Sequence, residues 1–377
     1  MVRRIIIITI SLIILFSISI NINAEDDTWP EEYSEWLNDI PNDIRDLLPD
    51  ELFSDDEEDI SEGIKELTSW EFIWKAVFDI IGLNFKNIIK LLARLSSVLV
   101  LCALLNQVKN SFQNSGIKEI LTIVTSAIVG IISIELSREP INQAMLVFEE
   151  IQIFVNTTSP LICGMYAMGG NISSALVYNY GFIVFLSILE NVCIILIKLI
   201  IGICMAIALS SAILSDINIL SISNAIKKTF SFILSLIMVV FTAVISSQSM
   251  IASRADSLSS KTAKILVSNI IPLVGGSVGD SLKTAGASIE YLRSNVGVLI
   301  VVILMLMTMP TIISMAMHRL MFIIANGLAG ILGCDREGRM ILEISSIYGC
   351  ILAILSVCSI VLLILITVFA KCSSPLI

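Results

Sequence analysis

Few residues in this chain have the types and spacing that chemistry requires, and most of them lie inside apolar runs. Glu190 and Lys198 share one long apolar stretch, and an ionisable side chain in such a stretch is a functional candidate by default. Eight positions apart on a helix is about 12 Å, too far for a direct pair. The plainer reading is that each reaches an interface from a tilted or split helix. A second set surrounds residues 265–279, which carry no charge: Lys261, Thr262 and Lys264 precede them, Asn269, Pro272, Gly275, Gly276 and Gly279 lie within, and Asp280 comes next. Such a stretch is short for a membrane span and fits a re-entrant or interfacial segment. Its proline and glycines interrupt helices and leave backbone groups in need of partners. Ser159 and Pro160, with Gly164, Gly169 and Gly170, repeat the feature earlier in the chain. Two interrupted apolar segments in different halves point to a transport site. Kinked helices or close helix contacts, for which Gly275-x-x-x-Gly279 would serve, are the competing reading.

Other chemistry finds little support. Lys283-Thr284 comes after Gly279 at the wrong spacing for a phosphate-binding loop, and no strand precedes it. ATP hydrolysis by this chain is therefore excluded, and energy would come from a gradient or from a partner such as a cytoplasmic ATPase. His318, the single histidine, sits among Met305, Met307, Met309, Met315, Met317 and Met321. Thioethers suit copper, but methionines of this kind more commonly fill a helix packing surface. The eight cysteines include no C-x-x-C pair, which argues for buried inert thiols over a metal or redox centre. No Ser–His–acid set or carboxylate pair stands out, so neither catalytic residues nor a cofactor is expected.

The elements that must position these residues are apolar. Of 377 residues, 56% are hydrophobic and 15% charged, with a mean hydropathy of +0.93; soluble domains are nearer a quarter charged. The net charge of −10 is local. Residues 25–69 hold 18 acidic and 2 basic side chains, which leaves the remainder slightly basic. No basic stripe with interleaved aromatics appears, so nucleic acid is not a partner.

Residues 1–24 read as a signal peptide: Arg3 and Arg4, the apolar Ile5–Ile20, then Ala24. An uncleaved anchor is the alternative, and both place the chain beyond Ala24 outside the cytoplasm. Residues 25–87 form an acidic exported segment with short amphipathic helices broken at Pro41 and Pro49, and a charged linker at residues 55–59. Trp70, Trp74 and Phe78 begin an aromatic, interfacial stretch. Lys86, Lys90 and Arg94 come next on one helical face, to meet headgroups or the acidic segment. Residues 88–371 form the membrane domain, with spans expected near 88–106, 117–136, 145–168, 181–213, 230–250, 295–317 and 345–370. Residues 317–333 offer an extra half-span, and 372–377 are a C-terminal tail. The fold class is thus all-α, a polytopic membrane protein of about seven spans within a range of six to eight. The bases of loop 251–294, and Lys371, favour the cytoplasmic side.

The run Ser247-Gln248, Ala252, Ala255-Asp256, Lys261-Thr262-Ala263-Lys264, Asn269, Ile271-Pro272, Val274-Gly275-Gly276, Asp280, Thr284 resembles the central signature of the stage III sporulation protein AE family of endospore-forming bacteria. The resemblance extends to Leu292-Arg293, Val296-Gly297, Ser159-Pro160, Gly169-Gly170 and, near the N-terminus, Ile40-Pro41, Ile44-Arg45, Leu47-Leu48-Pro49 and Leu52. It implies a subunit of a channel-like or secretion-like complex between mother cell and forespore, needed for late forespore gene expression. It implies a mother-cell membrane location around the forespore, a cleaved signal, and other membrane subunits of the same complex as partners. It carries over no catalytic residue and leaves permease and scaffold both open. Heavier methionine and isoleucine usage, Lys198 and the acidic run at 55–59 depart from the family's pattern. A secondary transporter of small molecules or ions, unrelated to sporulation, is the alternative.

Overall fold

The computed structural model describes Trp36, Arg45 and residues 48–54, 57–112, 115–168, 172–213, 221–241, 243–244, 247 and 275–371. These residues are helical apart from short turns. A 3-10 turn, Asp50–Phe53, leads into α1 (Glu57–Leu67) and α2 (Trp70–Ser111). Then come α3 (Ser115–Met168), α4 (Ile172–Ile213), α5 (Ser221–Phe241), α6 (Gly275–Ile331) and α7 (Asp335–Lys371).

Six of these helices are long and apolar enough to cross a membrane among the described residues, within the expected range. The bounds differ from those read in the sequence. Residues 117–136 and 145–168, expected as two spans, are one helix, and neither Pro140 nor Pro160 ends it. A proline in a membrane helix frees one carbonyl, which neighbouring helices and Ser/Thr side chains can satisfy. The half-span expected at 317–333 continues the preceding one as α6. Residues 275–294, expected within a loop, are the first turns of α6, so Gly275, Gly276 and Gly279 are helical.

The core is the antiparallel pair α6 and α7, packed along their length; α4 and α3 cover α7, and α2 and α3 cover α6. Leu299, Ile303, Phe322, Ala325 and Ala329 on α6 and Ile344, Ile347, Tyr348, Ile351 and Leu355 on α7 are fully or nearly fully buried in one core, with the Phe322 and Tyr348 rings 5.4 Å apart. Their turn is set by Gly333, whose φ of 71° lies in the left-handed region that glycine adopts freely. Cys334 N–H bonds Ala329 O at 2.8 Å and Gly333 N–H bonds Gly330 O at 3.2 Å, the paired bonds of a Schellman stop.

The N-terminal segment joins this bundle. Ser69 caps α2 by accepting from Phe72 N–H at 3.2 Å, and Ile60, Ile64 and Leu67 bury one face of α1. Glu57, Glu58 and Asp59, expected in a linker, open α1. Trp36 is buried, donates Nε1–H to Thr158 Oγ1 at 3.0 Å and lies 6.1 Å from the Phe154 ring. Trp70, Trp74 and Phe78 form a ladder of ring contacts at 5.5 and 5.7 Å on the outside of α2.

Candidate functional site

Polar side chains buried inside the bundle gather along α7. Glu343, 4% exposed, accepts from Ser223 Oγ at 2.6 Å and pairs with Lys227 Nζ at 2.7 Å, both from α5. Ser223 and Lys227 are four residues apart, hence one above the other on a helix face. The same Glu343 oxygen, Oε2, takes both bonds. A carboxylate and an ammonium together in a low-dielectric site compensate each other, whereas either alone would be costly to bury.

One and a half turns earlier, Glu337 is 2% exposed and accepts from Thr125 Oγ1 at 3.1 Å and Ser126 Oγ at 3.2 Å on α3. It sits in the first turn of α7, where the helix dipole favours a negative charge. Asn106 of α2 donates to Cys334 Sγ at 3.6 Å beside it. Burial, and after it the Glu337 carboxylate, pushes the Cys334 thiol up from its ordinary value.

Further along, His318 is buried, donates Nδ1–H to Ser314 O at 2.8 Å, and stacks on Tyr348 with centroids 5.8 Å apart and an interplanar angle of 5°. The neighbouring Arg319 lays its guanidinium against Gly349: a Cβ added there would stand 3.0 Å from Arg319 Cζ. Arg319 Nε is buried without a hydrogen-bond partner. The Tyr348 hydroxyl comes near Ser137 without reaching hydrogen-bond geometry. Together these groups make a polar seam from the α6–α7 turn toward mid-bundle. Its two glutamates, lysine and arginine place ionisable groups inside the bundle, where lipid offers none.

The residues singled out in the sequence are placed unevenly. Lys261, Thr262, Lys264, Asn269, Pro272, Gly169 and Gly170 lie outside the described residues, as do the signal peptide and the tail. Gly275, Gly276 and Asp280 are in the first turns of α6. Ser159 is buried beside Thr158, the Trp36 acceptor, and Pro160 is exposed. Glu190 is half-buried with the like charge of Glu149 nearby, and Lys198 is exposed. Among the described residues, neither of these two joins an ion pair. Met307, Met315 and Met321 are buried as core packing around the α6–α7 interface. Arg94 pairs with Glu135 of α3 at 3.9 Å, not with the acidic segment.

Lys227 and Glu343 were missed because spans were expected to begin just after them, at 230 and 345. Their helices instead begin at Ser221 and Asp335, which draws both charges inside. The available signal was Ser223 and Lys227 at helical spacing opposite a glutamate framed by Ile341, Leu342 and Ile344.

Residues 53–373 match the family model described as stage III sporulation protein AE. Stage III sporulation protein AE of Bacillus subtilis (strain 168) is 26% identical over 281 residues, covering 73% of this chain and 68% of that protein. No solved structure matches. With six apolar helices and a family match that takes in all of them, the chain belongs to the stage III sporulation protein AE family.

Proposed function

We propose that this protein is a membrane subunit of the channel-like or secretion-like complex that links mother cell and forespore, required late in endospore development. It would sit in the mother-cell membrane around the forespore, with its N-terminal segment outside the cytoplasm and other membrane subunits of the complex beside it. A cytoplasmic ATPase would be a further partner. The observation that carries this reading is the family match over residues 53–373, which takes in all six apolar helices. The polar seam supports a permease-like contribution over a scaffold alone, since ionisable side chains inside a membrane bundle mark ion or substrate pathways. The segment from Lys261 to Asp280 is proposed as the second functional element, its bases facing headgroups or a partner subunit.

Deleting the gene tests the process. Late forespore gene expression and heat-resistant spores should be lost, and normal sporulation in the deletion strain would sink the proposal. Within it, Gly275→Leu separates two roles: lost transport with intact complex assembly marks a permease, whereas lost assembly marks a scaffold. A transporter unrelated to sporulation would show flux in vesicles from a strain whose sporulation does not depend on the gene.

A further inference from the structure

Contacts between helices fix which ends lie together. Asn106 reaches Cys334 and Thr125 reaches Glu337, so the α2–α3 turn and the α6–α7 turn share one end of the bundle. Ser223 and Lys227 on the first turns of α5 meet Glu343, also toward that end. Gly130 on α3 faces Leu209 near the end of α4, which puts the α4–α5 connection there too. At the opposite end, Trp36 meets Thr158 near the close of α3. There Phe185, early in α4, packs edge-on against Phe241 at the close of α5, with centroids 4.6 Å apart. The continuous α6 finishes at the first end and therefore starts at the second.

We infer that the described end of the acidic segment (residues 48–54 and α1), the first turns of α6 and the last turns of α7 all occupy one side of the membrane. Among the described residues, four crossings (α2 to α5) separate the N-terminal segment from the start of α6, and six separate it from the end of α7; both numbers are even. Gly275, Gly276 and Asp280, which open α6, are thus on the side that holds the described end of the acidic segment. On the other side, among the described residues, lie the α2–α3 and α6–α7 turns, flanked by Lys109, Lys118, Arg336 and Arg339 together with the acidic Glu119 and Asp335. Lysine and arginine counts alone favour the opposite side for residues 251–294, but a charge bias is a tendency, and for the described part, from Gly275, the helix ends favour the side of the acidic segment. The inference holds whatever process the protein serves.

The test is labelling with a membrane-impermeant maleimide in intact cells making the full chain. Cys163 and Cys372 are replaced by serine, and the described native cysteines are buried or, for Cys350, half-buried. Ser54→Cys and Ser281→Cys should label together, before permeabilisation if the N-terminal segment is exported, and Ser111→Cys should label in the opposite condition. If Ser54→Cys and Ser281→Cys both need permeabilisation while Ser111→Cys does not, the sidedness stands and the export reading fails. Ser281→Cys tracking Ser111→Cys overturns the inference. Should a cysteine variant fail to accumulate, a reporter fluorescent only in the cytoplasm, fused after Ile377, gives an independent reading. It should be dark when the N-terminal segment is exported, and bright fluorescence in such cells contradicts the inference.

Discussion

α7 and α5 are both apolar helices, yet they solve opposite problems. In α7, 72% of the most apolar stretch is buried inside the protein; in α5 the figure is 11%. Among the described side chains α7 presents Leu342 alone as a large exposed apolar group, whereas α5 presents Phe232, Leu236, Val239 and Val240 among others. α5 therefore faces lipid, where apolar contact with the bundle brings little hydrophobic gain over contact with acyl chains. Its polar anchor is Ser223 and Lys227 on Glu343, with Phe230, Leu234 and Phe241 as the buried apolar contacts. A peripheral helix is held by charge where burial is scarce, and the central helix that receives it is held by packing.

The contrast can be broken at its most expensive point first. Lys227→Ala leaves Glu343 buried and unpaired, which costs about 3–5 kcal/mol; protein abundance in membranes and thermal inactivation in detergent should both show the loss. Gly349→Leu forces the Arg319 guanidinium off α7, at about 1–3 kcal/mol by overpacking. Its control is Gly202→Ala on α4, where an added Cβ meets nothing within 4 Å, and which should be neutral or slightly stabilising. Gly333→Val places a branched residue in a left-handed conformation, a penalty of about 1–2 kcal/mol, readable as a lowered melting temperature. Arg94→Ala removes an ion pair whose side chains are each 64% exposed and should change stability by less than about 1 kcal/mol.

Much of the architecture was legible because hydropathy reports it directly. The all-helical class, the span range and the outward aromatic ladder at Trp70, Trp74 and Phe78 come from composition and period. The continuity of α3 was not legible: Ser137-Arg138-Glu139-Pro140 reads as a break, but Ser137 and Pro140 turn inward while Arg138 and Glu139 turn out. A local rule about proline gave way to tertiary packing. The site was harder still. Glu190 and Lys198 drew attention because they interrupt a long apolar run, whereas Lys227 and Glu343 looked like ordinary flanking charges. Two charges 116 positions apart declare themselves a pair only once α5 and α7 are side by side.

The central claim, that α5 is tied to the core of this sporulation protein through one buried ion pair, is tested most directly by charge reversal. A strain lacking the gene would be complemented with Lys227→Glu, with Glu343→Lys, and with both together, scoring heat-resistant spores and membrane abundance. Each single reversal should fail, and the double reversal should recover a substantial part of both measures. Single variants that sporulate like the parent strain, or a double variant no better than either single one, would contradict the claim.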